Sequence, residues 1–337
     1  MEHITIRRSL CVFLGCFLLM VSGCTPNKDK QDGLTLKDAQ ELLSTTIDAN
    51  GQTLEFAIDD QMATITITPD ANRPATSITI SSTPIQSSQF DIPIDPVTPL
   101  ISITLSEPLE SPLVMKLPIA KKANNVTAAV SYRLDTRLLE TMESFLTEDE
   151  ILEVLFNATT DFFVSSVAED LVLATIDTGF RPSIDGYQIS NNINYWENLG
   201  MCSGMARSAL YYFHHLKPTQ GQLYNKFTEN TGFEGFTTPT FVLDDVDVIK
   251  LNALMQASTY GTTYGEYYWK VAGDPKTKHF YRMAYHMLIS NRPQIVHLYE
   301  KPYDPQTKQP GGYGHAVIVY RISANHAYIY DPNWPND

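Results

Sequence analysis

Between Ala63 and Tyr132 the sequence alternates apolar and polar residues in short runs with prolines between them. The runs are Ala63-Thr64-Ile65-Thr66-Ile67-Thr68, Ile78-Thr79-Ile80, Ile101-Ser102-Ile103-Thr104-Leu105, Val114 to Leu117 and Val126 to Tyr132. Successive side chains of a strand point to opposite faces, so this alternation describes strands with one face buried and one wet. Pro69, Pro74, Pro84, Pro93, Pro96, Pro99, Pro108, Pro112 and Pro118 punctuate the runs; proline lacks the N–H that a strand ladder needs and belongs in turns and edges. Short strands separated by such turns favour an antiparallel sandwich of immunoglobulin-like type. No catalytic constellation falls inside it. Two roles stay open for it: a spacer or adhesion module, or a unit packed permanently on the rest of the chain.

The remaining length sets the organisation. A chain of 337 residues has room for two ordinary domains, and with 43% hydrophobic and 18% charged residues it lies outside the composition of disordered chains. Leu36, Ala39, Leu42, Leu43 and Ile47 predict a helix within Leu34 to Asn50. Thr147 and Glu150, spaced as a capping box ahead of Ile151, Val154, Leu155 and Phe156, predict another. The expected layout is a signal segment over 1–23, a tether and short helix over 24–50, the sandwich over 51–140, a helical connector over 141–178 and a second domain over 179–337, α+β in class. A net charge of −14 without a basic patch excludes nucleic acid as a partner.

The cysteines carry the next inference. Arg7 and Arg8 precede the apolar run Leu10 to Val21, which is followed by Ser22, Gly23 and Cys24. The run is shorter than the about 20 residues that span hydrocarbon, and its flanks are those of a secretion signal. Val21-Ser22-Gly23-Cys24 resembles a bacterial lipobox. That resemblance implies cleavage before Cys24, acylation of its thiol, and a protein held by lipid in the cell envelope; Thr25 after it implies the outer membrane or cell surface. Cleavage removes Cys11 and Cys16, so Cys202 is the one free thiol left. A single thiol in an exported protein has no internal disulfide partner.

Cys202 follows Gly200 and heads a run in which Met205, Ala206, Ala209, Leu210 and Phe213 have helical spacing. A helix N-terminus, with its unpaired N–H groups and partial positive charge, stabilises thiolate over thiol. Downstream, His315 to Ile322 and His326 to Tyr330 flank Ser323-Ala324-Asn325 and predict an antiparallel hairpin. Pairing centred on residue 323 sets His315 opposite Asp331, within reach of a hydrogen bond that would orient the imidazole. A bulge would shift the register and bring in Asn333 as a competitor. A cysteine on a helix start, a histidine on a strand and an acid on the next strand suit nucleophilic acyl transfer.

The segments Gly200-Met-Cys-Ser-Gly-Met-Ala, Gly314-His-Ala-Val and Tyr330-Asp-Pro-Asn resemble the papain-like cysteine peptidase superfamily, closest to its bacteriocin-processing-peptidase-like branch. The resemblance covers residues 179–337, with Phe180-Arg-Pro-Ser-Ile-Asp-Gly-Tyr as a weaker part. It implies Cys202 as nucleophile, His315 as general base and acid, Asp331 as the orienting residue, a cleft between a helical and a stranded half, and no cofactor. Such enzymes carry glutamine six positions before the cysteine; here that position is Trp196. Asn198 or Asn194 is a candidate oxyanion donor beside the Cys202 N–H, or equally turn chemistry ahead of Gly200. The chain stops six residues after Asp331, where the resemblance leads one to expect further strands.

Other signals compete less well. His214 and His215 suit a helix C-terminus better than a metal site, and Asp244, Asp245 and Asp247 lack the pattern of a calcium loop. Tyr260, Tyr264, Tyr267, Tyr268 and Trp269 read as packing aromatics or as the lining of a cleft, and His297 as a satisfied strand histidine. The function expected is a lipid-anchored cysteine hydrolase acting on a peptide or protein, with membrane contact through Cys24. Its rivals are transfer to an amine, cutting of peptidoglycan peptides, and a non-catalytic surface binding protein on a degenerate peptidase fold.

Overall fold

The computed structural model describes residues 33–71, 73–191, 200–227, 246–257, 276–299, 303–304, 309–310, 314–323 and 326–335. The signal segment, Cys24, Asn194, Trp196, Asn198, Asp244, Asp245 and the aromatic cluster from Tyr260 to Trp269 lie outside the described residues, as does the side chain of Asp247. The chain is mixed α and β, mostly in antiparallel sheets. No helix among the described residues is long and apolar enough to cross a membrane.

The N-terminal half contributes β1 (Gly33–Leu36), β2 (Gln40–Ile47), β3 (Gln52–Ile58), β4 (Gln61–Ile67), β5 (Thr76–Thr83), β6 (Ile85–Gln89), β7 (Asp95–Pro96), β8 (Leu100–Leu105), β9 (Leu113–Pro118), β10 (Asn125–Arg133), β11 (Leu138–Thr141), β12 (Ser144–Leu146), β13 (Ile151–Phe156) and β14 (Thr160–Ala168). One sheet runs β11-β10-β14-β8-β5-β2, with β7 beside β14; a second runs β12-β13-β9-β4-β3, and β1 pairs with β6. The sequence alternation explains how they pack. Ala63, Ile65 and Ile67 of β4 and Ile78 and Ile80 of β5 point into one core between the sheets, with Ile101, Ile103 and Met115. The two sheets hold seven and five strands, more than the seven or nine of immunoglobulin domains.

Two predicted helices are strands. Leu34 to Asn50 forms β1 and β2, because β2 gains a ladder with β5 and buries Ile47 completely; tertiary pairing overrides a helical spacing that β-branched Thr45, Thr46 and Ile47 support poorly. The helical connector expected over 141–178 is mostly β12, β13 and β14. Thr147 Oγ1 does accept a backbone N–H, but that of Ile151 at 3.1 Å, and Glu150 adopts φ +62°, so the pair closes a hairpin turn. β14 is central in its sheet and buried on both faces: Phe162 and Val164 face the inter-sheet core, Phe163 and Val167 the opposite side.

That opposite side is where the second half docks. It consists of β15 (Ile176–Asp177), helix α1 (Cys202–Tyr211), α2 (Val246–Ala257), α3 (Lys276–Ser290), β16 (Gln294–Tyr299), the ribbon β17 (Tyr303–Asp304) and β18 (Gln309–Pro310), β19 (Gly314–Ser323) and β20 (His326–Tyr330). Val319 pairs with both Gln294 and Ile329, and Ile322 with both Ile176 and Ala327. A strand has two edges, so β20 takes one edge of β19 while β16 and β15 share the other. Ile318 faces α1 in a core with Met205, Ala206 and Tyr330. Val319 and Ile322 face α3, in a core that also holds Phe163 and Val167 of the first half. A register shift between Val319 and Arg321 lets both residues share that face.

The two halves therefore share one apolar core, beside a further core within each half. The buried Tyr285 hydroxyl on α3 hydrogen-bonds the Ser165 hydroxyl on β14, Thr141 Oγ1 lies 3.0 Å from His286 Nδ1, and Arg292 pairs with Glu140 at 3.0 Å. Truncation of a fully buried aromatic typically costs about 3–5 kcal/mol. Tyr285→Ala is expected to lower stability by about that amount and to leave a single transition for both halves in denaturant unfolding followed by circular dichroism; loss of the second half alone, with the sheets intact, would contradict a shared core.

Candidate active site

Gly200 adopts φ +92°, a conformation that favours glycine, and turns the chain into α1. Met201 is the residue ahead of the helix and its carbonyl accepts the Met205 N–H at 2.8 Å. Cys202 is the first helical residue, a free thiol only 8% exposed. The helix-start N–H groups on either side are satisfied by side chains: Met201 donates to Asn191 Oδ1 and Gly204 to Gln256 Oε1 at 3.0 Å. The Cys202 N–H lies between them at the same helix start. α1 is pressed against α2: a Cβ on Gly204 would lie 1.9 Å from the Asn252 carbonyl oxygen. Behind it, Ser208 Oγ bonds Asn252 Oδ1, and the Tyr187 hydroxyl reaches Ser208 Oγ at 3.0 Å.

The structure brings His315 and Asp331 to this helix start, by a route different from the one the hairpin predicts. Ile318 pairs with Tyr330 and Val319 with Ile329, two residues away from a register that would set His315 opposite Asp331. Asp331 instead falls just past the end of β20 and approaches His315 diagonally. A tight turn holds it there: the Trp334 N–H bonds the Asp331 carbonyl at 3.0 Å and the Asn333 N–H bonds Asp331 Oδ1 at 2.8 Å. His315 Nε2 lies 2.6 Å from the same oxygen. Asn333, the alternative orienting residue, directs its side chain to Asn191 at 2.8 Å. The His315 and Asp331 side chains are 24% and 23% exposed, open enough to meet a solute.

The surroundings make the Cys202 thiol easier to ionise than an ordinary one. Burial pushes the Cys202 thiol up, but a hydrogen bond with the His315 side chain, the Ala316 N–H, the imidazolium charge and the Ser203 N–H outweigh it and hold the thiol below its ordinary value. His315 is raised by the hydrogen bond to Cys202, against burial, with the Asp331 hydrogen bond and charge assisting. Since Nε2 is committed to Asp331, Nδ1 is the ring nitrogen left to face sulfur.

Burial lowers other histidines. His297 on β16 lies 3.4 Å from Ser203 Oγ and is pushed down to about 4 by burial, with Arg207 and His315 assisting. His214 occupies a π-helical turn, Tyr212–Leu216, that prolongs α1, and burial pushes it to about 4. No group of three or more His, Cys, Asp or Glu residues among the described residues is arranged to hold a metal ion. The Phe180 to Tyr187 phrase supports the site from behind. Phe180 is fully buried against Phe213 and Tyr330. Asp185 pairs with Lys217 at 2.7 Å, and a Cβ at Gly186 would meet the Tyr330 ring at 2.6 Å. Sequence reading singled out neither Asn191 nor Gln256; a polar residue capping a helix from a distant segment leaves no local spacing to detect.

Compared with models of known protein families, with curated proteins and with solved structures, the chain matches none.

His315→Ala removes a hydrogen bond and a charge that depress the thiol. The pH midpoint of Cys202 alkylation by iodoacetamide is then expected to rise, so that the variant is alkylated more slowly than wild type at pH 6–7 and approaches it only at alkaline pH. An unshifted midpoint would mean that His315 does not set the ionisation of Cys202.

Proposed function

We propose that this protein is a papain-like cysteine hydrolase, held in the cell envelope by lipid on Cys24, which cleaves an amide bond of a peptide through a thioester on Cys202. The observation that carries the reading is the convergence of a depressed thiol at a helix start with an imidazole whose far nitrogen is 2.6 Å from a carboxylate. The lipobox-like Val21-Ser22-Gly23-Cys24 supports the anchor. For the N-terminal layers we propose an immunoglobulin-like sandwich enlarged by further strands.

The steps follow from the geometry. Asp331 accepts a hydrogen bond from the Nε2–H of His315, which fixes the tautomer and leaves Nδ1 to take the thiol proton. The thiolate attacks the amide carbon, and the negative charge that builds on the carbonyl oxygen meets the Cys202 N–H at the positive end of α1. The imidazolium then gives its proton to the leaving nitrogen, the C–N bond breaks and an acyl-thioester remains. Water, deprotonated by the same Nδ1, attacks the thioester carbon; the thiol leaves and the acid is released. The balance is amide plus water to acid plus amine. Asp331 remains ionised throughout.

Cys202→Ala is expected to abolish both alkylation and amide hydrolysis of a peptide library, with an unchanged circular dichroism spectrum. Asp331→Asn, which donates where the carboxylate accepts, is expected to slow turnover by about 10²–10⁴. Hydrolysis that survives Cys202→Ala would overturn the proposal, as would a wild-type thiol that is unreactive at neutral pH.

A further inference from the structure

One side chain outside the three reacting groups connects them. Asn191 follows the buried Ile189 and sits where the start of α1 and the turn after β20 come together. Its backbone N–H donates to the Pro332 carbonyl at 2.8 Å. Its side-chain Oδ1 accepts the N–H of Met201, the residue before the nucleophile. Its Nδ2 donates to Asn333 Oδ1 at 2.8 Å. The chain folds closely over it, since a Cβ on Gly200 would lie 3.1 Å from both Oδ1 and Nδ2.

Each contact touches a residue adjacent to the reacting groups. Met201 precedes Cys202, and Pro332 and Asn333 follow Asp331. Asn333 in turn donates its N–H to the Asp331 oxygen that binds His315. A neutral amide carries a donor and an acceptor on one short side chain, so asparagine can grip the helix-start N–H of Met201 and the side-chain oxygen of Asn333 at once. Aspartate keeps only the acceptor and adds a charge near Asp331; alanine keeps neither. The cysteine and the histidine–aspartate pair reside on elements far apart in sequence, with Asn191 spanning between them.

We propose that Asn191 is a positioning residue that locks the start of the Cys202 helix to the turn bearing the Asp331 carboxylate, so that nucleophile and histidine–aspartate pair keep one register. The proposal rests on the thiol-hydrolase reading of the site. Its consequence is chemical as well as mechanical. If the two elements drift apart, the Cys202–His315 hydrogen bond weakens, and with it the largest of the contacts that offset the burial of the thiol.

The test is the pH profile of Cys202 alkylation by iodoacetamide in the full chain, measured beside thermal unfolding, for wild type, Asn191→Ala, Asn191→Asp, Asn333→Ala and the double alanine variant. Wild type is expected to label with a midpoint below that of an ordinary thiol. Asn191→Ala should raise the midpoint and slow labelling at pH 6 by about 2- to 10-fold, the worth of a hydrogen bond, with the alkaline rate kept. Asn333→Ala, at an exposed position, removes the side-chain oxygen that accepts from Asn191 Nδ2 and should shift the midpoint the same way by less. The double variant should shift it by less than the sum, as expected for residues acting through one connection. Asn191→Asp should not restore the wild-type profile. Wild-type profiles in the alanine variants, or a loss of thermal stability with no change of midpoint, would overturn the positioning role while leaving the hydrolase reading intact. An ordinary or unreactive thiol in wild type would overturn the hydrolase reading, and this inference with it.

Discussion

β19 has no free edge along its middle and no free face. Val319 is hydrogen-bonded to β16 on one side and β20 on the other, Ile318 packs toward α1, and Val319 and Ile322 pack toward α3. A strand so enclosed cannot slip by one residue without sending its apolar side chains to the wrong cores. His315, near the N-terminal end of this strand, inherits that rigidity. α1 lies against the same strand, so the distance between thiol and imidazole is set by side-chain packing, and the carboxylate is brought in by the hairpin that β20 closes. α3 ties the assembly to the β-layers through Tyr285 and His286, so the geometry of the site and the stability of the whole chain draw on one interior.

Within that frame the thiol is held in opposition. A cysteine 8% exposed would ordinarily be a small apolar residue. What offsets burial is a set of directional contacts, from His315, the Ala316 N–H and the Ser203 N–H. Hydrogen bonds and charges are stronger where water is scarce, so the burial that opposes the thiolate also strengthens the groups that stabilise it. Histidines for which burial is the largest influence go the other way: His214, His286 and His297 are each pushed down to about 4 and stay neutral at neutral pH. His315 alone among the shifted histidines is raised, because it is the one facing both a thiol and a carboxylate.

Much of the architecture was legible from local pattern. The alternating runs at Ala63, Ile78, Ile101, Val114 and Val126 lie on β4, β5, β8, β9 and β10, because a period of two allows one burial arrangement. The helix at Cys202 and the hairpin at His315 were legible for the same reason, with a period of 3.6 or a short turn between β runs. Leu34 to Asn50 misled because apolar residues at mixed spacings fit a helix or a bulged strand, and the pairing of β2 with β5, a distant segment, decided between them. Thr147 and Glu150 misled because a hydroxyl that accepts a backbone N–H serves a hairpin turn as well as a helix cap. The hairpin register was off because Ser323 already pairs with His326, so the ladder is not centred on residue 323; the bulge between Val319 and Arg321 takes back one residue of the difference and leaves two.

The sequence by itself determined which residue types were available for chemistry: one thiol remaining after the expected processing, at the head of an amphipathic run, with a histidine and an aspartate on neighbouring β runs. These are local properties, set by composition, spacing and backbone propensity. Only the tertiary structure decided that Asp331 reaches His315 from beyond the end of β20, that Asn191 joins the two elements of the site, and that α3 welds the β-layers to it. Such contacts join segments far apart in the chain, 142 residues between Asn191 and Asn333 and 145 between Thr141 and His286. A hydrogen bond of that kind depends on the sum of many packing choices, and no single stretch of sequence carries its signal.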